Sequence, residues 1–236
     1  MINYLNKKLG RLLISRNFKR LYFAYHFITG GFKAKKINIS FENKKSRVEI
    51  IQNIIDLKNY SSYLEIGTFQ DQLFSHVNCK KKIGVDPVSG GNVRKTSDQF
   101  FFENEEKFDC IFIDGLHYYS QVKKDISNSL KILNPNGIIL LHDCLPNNHF
   151  EQAVPRCQMT WNGDVWKAIV ECRTIDQIDT YTCYADYGIA AILKRKNKNI
   201  LDINTKDFSR LKFEDYYHNF KSYMNIIEFD DLIKII

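Results

Sequence analysis

Residues 108–143 read FDCIFIDGLHYYSQVKKDISNSLKILNPNGIILLHD. The stretch opens on FDCIFID, an apolar run of the kind a strand needs when both its faces are covered. It continues into YYSQVKKDISNSLKIL, where Val122, Ile126, Leu130 and Leu133 recur at i, i+4, i+8 and i+11. That spacing marks one face of a helix. NPNG at 134–137 reads as a turn, and GIILLHD is a second apolar run. Strand, helix, turn and strand make one β–α–β unit, and repeated units of this kind imply a parallel sheet.

The alternation extends in both directions. SRVEIIQNIIDLK at 46–58 has apolar residues at helical spacing and leads into YLEIG at 63–67. A short helix is expected near 70–77, then a strand in KKIGVDP, then a short helix over 96–104 capped by Thr96 or Ser97. A further helix is expected over WNGDVWKAIVECR at 161–173, and IDTYTCYA and YGIAAILKR read as an antiparallel couple. The expected fold class is α/β: a Rossmann-like, doubly wound, mostly parallel sheet with antiparallel C-terminal strands and a basic helical N-terminal extension. The expected division is an extension over 1–45, a main domain over 46–200 and a helical C-terminal extension over 201–236.

Composition bounds the rest. The 236 residues are 44% hydrophobic and 14% aromatic, which suits a packed core and argues against disorder. The longest apolar run, LYFAYHFI at 21–28, is too short to span a bilayer, which needs about 20 residues. No secretory signal pattern is present at the N-terminus, and six scattered cysteines without a C-x-x-C pair suit reduced thiols. A cytoplasmic location follows as the expectation, with the inner membrane face as an alternative.

The net charge of +7 is concentrated at one end. Residues 1–36 hold nine Lys and Arg and no acid, leaving −2 for the remainder. Such an arm suits a helix packed on the main domain or on a second subunit in a homo-oligomer. It equally suits a peripheral contact with an anionic membrane surface. Nothing else in the sequence points to nucleic acid.

Every clear strand ends on an acid: Glu65, then Asp86, then Asp114 with His117 three residues on, then His142–Asp143. In parallel sheets, ligands bind beyond the carboxyl ends of the strands. Acids after the first two strands suit an adenosine ligand, whose ribose hydroxyls a carboxylate can accept, and Gly67 lets the backbone approach it. This layout fits NAD and S-adenosylmethionine alike. The loop GTFQDQ at 67–72 lacks the G-x-G-x-x-G fingerprint, which counts against an NAD-type oxidoreductase.

The run from YLEIG through IGVDP to FDCIFIDGLHYYSQVKKDISNSLKILNPNGIILLHDCLP resembles class I S-adenosylmethionine-dependent methyltransferases. More narrowly, it is similar to a bacterial branch with an IDG-x-H-x-Y…H-D signature. Some members of that branch are O-methyltransferases of sugars and natural products. The resemblance implies that Glu65 and Gly67 lie under the methionine part of the cofactor and that Asp86 holds the ribose. It places Ser97 and Asp98 at the adenine edge and Asp114 at the methyl-transfer region. In metal-dependent members, acids at the Asp114 and Asp143 positions hold Mg²⁺, which prefers oxygen ligands. His117, with an imidazole that titrates near neutral pH, is the candidate general base, and His142 is a candidate substrate contact. Trp161 and Asp164 are candidate walls for a small polar acceptor such as a sugar or glycan precursor. A structural reading of the same segment makes Asn162 a helix cap and packs Trp166 inside. The family loop E-x-G-x-x-x-G has Asp71 at its second glycine. A charged side chain there can crowd the cofactor, which keeps open a binding subunit with altered catalysis.

Overall fold

The structure is a computed structural model that describes residues 16–29 and 36–236. The expected helical repeat of Leu5, Leu9, Leu12 and Leu13 and the break at Gly30–Gly31 lie outside the described residues. The helices are α1 (Arg16–Ile28), α2 (Arg47–Lys58), α3 (Ser97–Glu103), α4 (Tyr119–Ile132), α5 (Val165–Cys172), α6 (Phe213–Met224) and α7 (Phe229–Ile235). The strands are β1 (Ser62–Ile66), β2 (Lys81–Val85), β3 (Phe108–Ile113), β4 (Leu133–Leu141), β5 (Asp179–Cys183), β6 (Ile189–Leu193) and β7 (Ile226–Ile227).

The strands form one sheet in the order β2-β1-β3-β4-β6-β5-β7. Neighbours from β2 to β4 are parallel, and β6 runs antiparallel to both β4 and β5. This is the expected Rossmann-like arrangement. Alternation along each strand sends side chains to two covered faces. Leu64, Ile66, Ile111, Ile113, Ile139 and Leu141 pack against Val122 and Ile126 of α4 and Trp166 and Ile169 of α5. Tyr63, Cys110, Phe112, Ile138 and Leu140 face Ile50, Ile51, Ile54 and Ile55 of α2 and Leu232 of α7. Both faces are therefore buried, which is why these strands read as continuous apolar runs.

Local chemistry sets the helix ends. Ser46 and Glu49 form a reciprocal capping box at the start of α2, and Thr96 and Gln99 do the same for α3. Three expectations change. The segment after Gly67 is a series of turns over 69–76, because Phe69 and Asp71 take left-handed backbone (φ 47° and 59°) that a regular helix excludes. The turn expected at 134–137 lies inside β4, where the ladder with β3 breaks register between Phe108 and Cys110, and Asn136 is left-handed (φ 62°). The helix expected from Trp161 begins only at Val165.

Candidate functional site

The carboxyl ends of β1 to β4 open on a cavity of about 1090 Å³. Parallel pairing puts these ends on one rim, so residues far apart in sequence meet there. The lining includes Glu65, Gly67, Asp86, Ser97, Asp98, Asp114, His117, His142, Asp143 and Trp161. Asp164 is absent from it.

At the β1–β2 end, the Asp86 carboxylate is tied to nearby backbone. The Asp86 carboxylate accepts from the amides of Val88 (2.7 Å) and Ser89 (2.9 Å) on Oδ1 and from Phe69 (3.0 Å) on Oδ2. A carboxylate offers about four lone-pair sites, so three are used and one remains on Oδ2. Asp86 as held here can take one ribose hydroxyl, where the sequence suggests two. Gly67 is left-handed (φ 91°), and a Cβ there would collide with the Asp114 carbonyl. The glycine is thus demanded first by the close passage of the β1 and β3 loops. Glu65 accepts a hydrogen bond from the Tyr63 hydroxyl (2.7 Å), and burial pushes its carboxyl up to about 8. Ser97 Oγ and Asp98 Oδ1 accept from Gln121 Nε2 of α4 at 3.2 and 3.0 Å, which fixes this edge against the next helix.

Asp71 bears on the altered-catalysis alternative. Its carboxylate accepts from the Gly91 amide at 2.5 Å, bridging the loops after β1 and β2, and it does not line the cavity. The side chain that replaces the second glycine is turned away from the space a cofactor would fill.

At the β3–β4 end, charged side chains are tied to one another. His117 Nε2 lies 3.2 Å from Asp114 Oδ1, and Nδ1 lies 3.2 Å from Asp143 Oδ2 and 3.2 Å from the Trp161 carbonyl. A carbonyl only accepts, so Nδ1 carries a proton and Nε2 is the titrating nitrogen. The Trp161 ring stacks on the imidazole with centroids 5.0 Å apart. His142 Nδ1 lies 3.3 Å from Asp114 Oδ1, and its Nε2 lies 3.3 Å from Asp186 Oδ1. Both nitrogens of His142 are therefore engaged within the protein. Arg47, the first residue of α2, brings Nη1 to 3.3 Å from Asp114 Oδ2, and its amide donates to Asp186 Oδ2 at 2.8 Å.

The charges shift one another. Burial lowers the basicity of His117, but the hydrogen bond to Asp114 and the charges of Asp143 and Asp114 outweigh it and hold its pKa above the ordinary imidazole value. His142 is held well above that value: burial opposes protonation, and Asp114 and Asp143 overcome it. Burial pushes Asp114 up, and the charge of His142 with hydrogen bonds from both histidines drives it below the usual carboxylate range. Arg47 Nη1 also lies 3.1 Å from His142 Nδ1, a contact that would be a hydrogen bond only to a neutral ring. With His142 protonated, the two cations instead share Asp114 between them.

Asp164 does not face the acceptor space. Its carboxylate accepts from the Tyr119 amide at 2.6 Å and pairs with Lys167 at 3.3 Å, so it caps α4 from across the fold. Asn162 caps no helix either: it is fully buried and donates to Asp143 Oδ1 at 3.0 Å. Gly163 (φ 63°) packs where any Cβ would strike His117, which keeps the 161–164 turn against the histidine. Trp166 is fully buried in the core. Sequence reasoning missed Arg47, Asp186 and Gln121. Arg47 reads there as one more surface cation at a helix start. The ADYG turn at 185–188 gives a weak signal for Asp186, through its left-handed Asp186 and Tyr187 (φ 40° and 58°).

Asp114, His117 and Asp143 offer ligand atoms within 4.8 Å of one another, a group that could hold a metal ion. Two carboxylates and an imidazole suit Mn²⁺ or Zn²⁺ better than Mg²⁺, which prefers an all-oxygen octahedron.

Residues 58–144 match a family model described as a methyltransferase domain, Methyltransf_24. The matched span runs from the end of α2 to just past β4 and contains every strand-end acid described above. No curated protein sequence matches the chain significantly. Among solved structures, a cofactor-bound protein of MTB, Rv0187, is 12% identical with a TM-score of 0.50, covering 75% of this chain and 90% of its own. A provisionally assigned O-methyltransferase of Klebsiella pneumoniae is 12% identical with a TM-score of 0.50, covering 71% and 86%. An O-methyltransferase of Bacillus cereus in complex with SAH is 12% identical with a TM-score of 0.48, covering 73% and 90%. At this identity, the first two show a shared fold. The family match is to a methyltransferase domain over 58–144, within the fold that the first two structures share.

Proposed function

We propose that the protein transfers a methyl group from S-adenosylmethionine to a hydroxyl oxygen of a small polar acceptor, of the sugar or glycan-precursor class. The observation that carries this reading is His117, held between Asp114 and Asp143 on the wall of a cavity beyond the strand ends. The pocket fits the cofactor. Glu65 and Gly67 would lie under its methionine part, Asp86 would accept a ribose hydroxyl, and Ser97 and Asp98 would border the adenine. When bound, the cofactor supplies an electrophilic methyl group.

The chain supplies alignment and a proton acceptor. Asp143 and the Trp161 carbonyl hold the Nδ1 proton and fix the ring. Nε2, which rests against Asp114 Oδ1 at 3.2 Å, would take the acceptor hydroxyl proton once the hydroxyl enters that contact, and Asp114 would stabilise the imidazolium that results. The raised basicity of His117 makes it a stronger base, and the same shift favours its protonated form, so the unprotonated ring that acts is populated as pH rises. Trp161 stacks on His117 with the Arg156 guanidinium over its ring, and Arg47, His142 and Tyr187 complete that side of the cavity.

A second reading rests on the clustering of Asp114, His117 and Asp143. A divalent cation there would make His117 a ligand rather than a base and would lower the pKa of an acceptor hydroxyl. One experiment separates the two. Methyl transfer to nucleotide sugars and related hydroxylated acceptors is assayed with chelator and with added Mn²⁺, Zn²⁺ or Mg²⁺. The base reading expects full activity in chelator. Activity that is lost in chelator and restored by a metal establishes the second reading. A folded protein that binds S-adenosylhomocysteine and methylates no hydroxyl acceptor refutes the proposed acceptor class.

A further inference from the structure

Helix α1 docks on the domain by one stripe and leaves another uncovered. Tyr22 Oη donates to the His149 carbonyl at 3.1 Å and accepts from Gln152 Nε2 at 3.0 Å. The His26 ring lies 4.8 Å from that of His149, and the Phe23 ring stacks on Phe150 with centroids 6.4 Å apart. Residues 22 and 26 thus face the protein, with Phe23, 48% exposed, at the edge of the contact. Leu21, Tyr25 and Ile28 follow one another at i, i+4 and i+7 on a different face, and they are 69%, 63% and 82% exposed. An apolar stripe of this size on a helix already anchored by its other side calls for an occupant.

We propose that α1 is an interfacial helix that seats Leu21, Tyr25 and Ile28 in the surface of an anionic bilayer. Charge selects this occupant. Residues 1–36 hold nine Lys and Arg and no acid, against −2 for the rest of the chain. Anionic lipid headgroups attract such a segment while the apolar stripe enters the headgroup–acyl boundary. A second copy would bring two arms of like charge together. A nucleic acid would use the charge and leave Leu21 and Ile28 without a role. Among the described residues, no helix is long and apolar enough to cross a membrane, so the contact lies in the interface. The docking segment also lies close to the acceptor side of the cavity. The Glu151 carbonyl, between His149 and Gln152, accepts from the amides of Asn162 and Gly163, next to Trp161.

The test is co-sedimentation of the full chain with vesicles of phosphatidylcholine and phosphatidylglycerol, and with vesicles of phosphatidylcholine alone. The variant is Leu21→Ser/Ile28→Ser, which removes both aliphatic members of the apolar stripe without changing the charge, spares the docked stripe and should melt like the wild type. Expected are binding to the anionic vesicles, weakening by raised salt, and a loss of at least about tenfold in partitioning for the variant. Three results would overturn the proposal. One is failure of the wild type to bind anionic vesicles. Another is vesicle binding unchanged in the variant, which would reduce the contact to polyanion attraction. The third is a lipid-free dimer that the substitutions dissociate, which would assign the stripe to a second copy.

Discussion

The two ends of the cavity are built differently. At the β1–β2 end, Asp86 is held by the amides of Phe69, Val88 and Ser89, and Asp71 by that of Gly91. At the β3–β4 end, Asp114, His117, His142 and Asp143 are held by one another and by Arg47, Asn162 and Asp186 from distant parts of the chain. Backbone amides do not titrate and cannot be substituted away, so the loops that hold Asp86 and Asp71 form a fixed cradle. The second end is a charge network in which moving one proton alters every neighbour. A fixed cradle suits a constant ligand, and a coupled network suits the step in which a proton moves.

The largest effect expected from this contrast is on turnover. His117→Ala should lower kcat by ~10²–10⁴-fold, the usual range for loss of a general base, and leave S-adenosylhomocysteine affinity within about threefold. Kinetics beside calorimetric titration would show whether the two ends separate. Asp86→Ala should do the reverse. It removes the acceptor for the ribose and for three amides, and cofactor affinity should fall by ~100-fold.

The pH profile sharpens the same contrast. Nε2 must be unprotonated to act, so kcat/KM should rise with pH. Because Asp114 and Asp143 hold His117 above the ordinary value, the midpoint should lie above about 6.5. Flat activity from pH 6 to about 9 would contradict the base assignment. Glu65 gives a smaller, stability-based test. Its folded pKa of about 8 exceeds the ordinary value for a free glutamate of about 4.3. Its contribution is therefore full below the unfolded value and lost as pH rises through the folded one. The wild-type melting temperature should decline across that window, and Glu65→Gln should decline less. The smallest effect is expected at Asp71. Asp71→Gly loses the bond to the Gly91 amide, and cofactor affinity should change by less than about threefold. A large gain would mean that this side chain does obstruct the pocket.

The same contrast explains what could be read from the sequence. The strand-end acids were legible because parallel strands with apolar runs must place their carboxyl ends together. Thr96 was legible as a cap of α3 because it acts within three residues of the helix start. Asp164 was read as an acceptor wall because its partner, the Tyr119 amide, is 45 positions away and leaves no local pattern. Asn162 fits a capping pattern locally, and its bond to Asp143 again depends on the tertiary fold. Arg47 is the clearest omission. Its position at the start of α2 is set by the Ser46 cap, and only the packing of α2 on the sheet turns its guanidinium toward Asp114.

The most direct test of a fixed cofactor cradle beside a separate proton-transfer network is titration calorimetry with S-adenosylhomocysteine. Wild type, Asp86→Ala and His117→Ala would be compared, each shown to be folded. The account predicts binding by the wild type and by His117→Ala, and its loss in Asp86→Ala. A folded wild type that does not bind, or equal loss in the two variants, would contradict it.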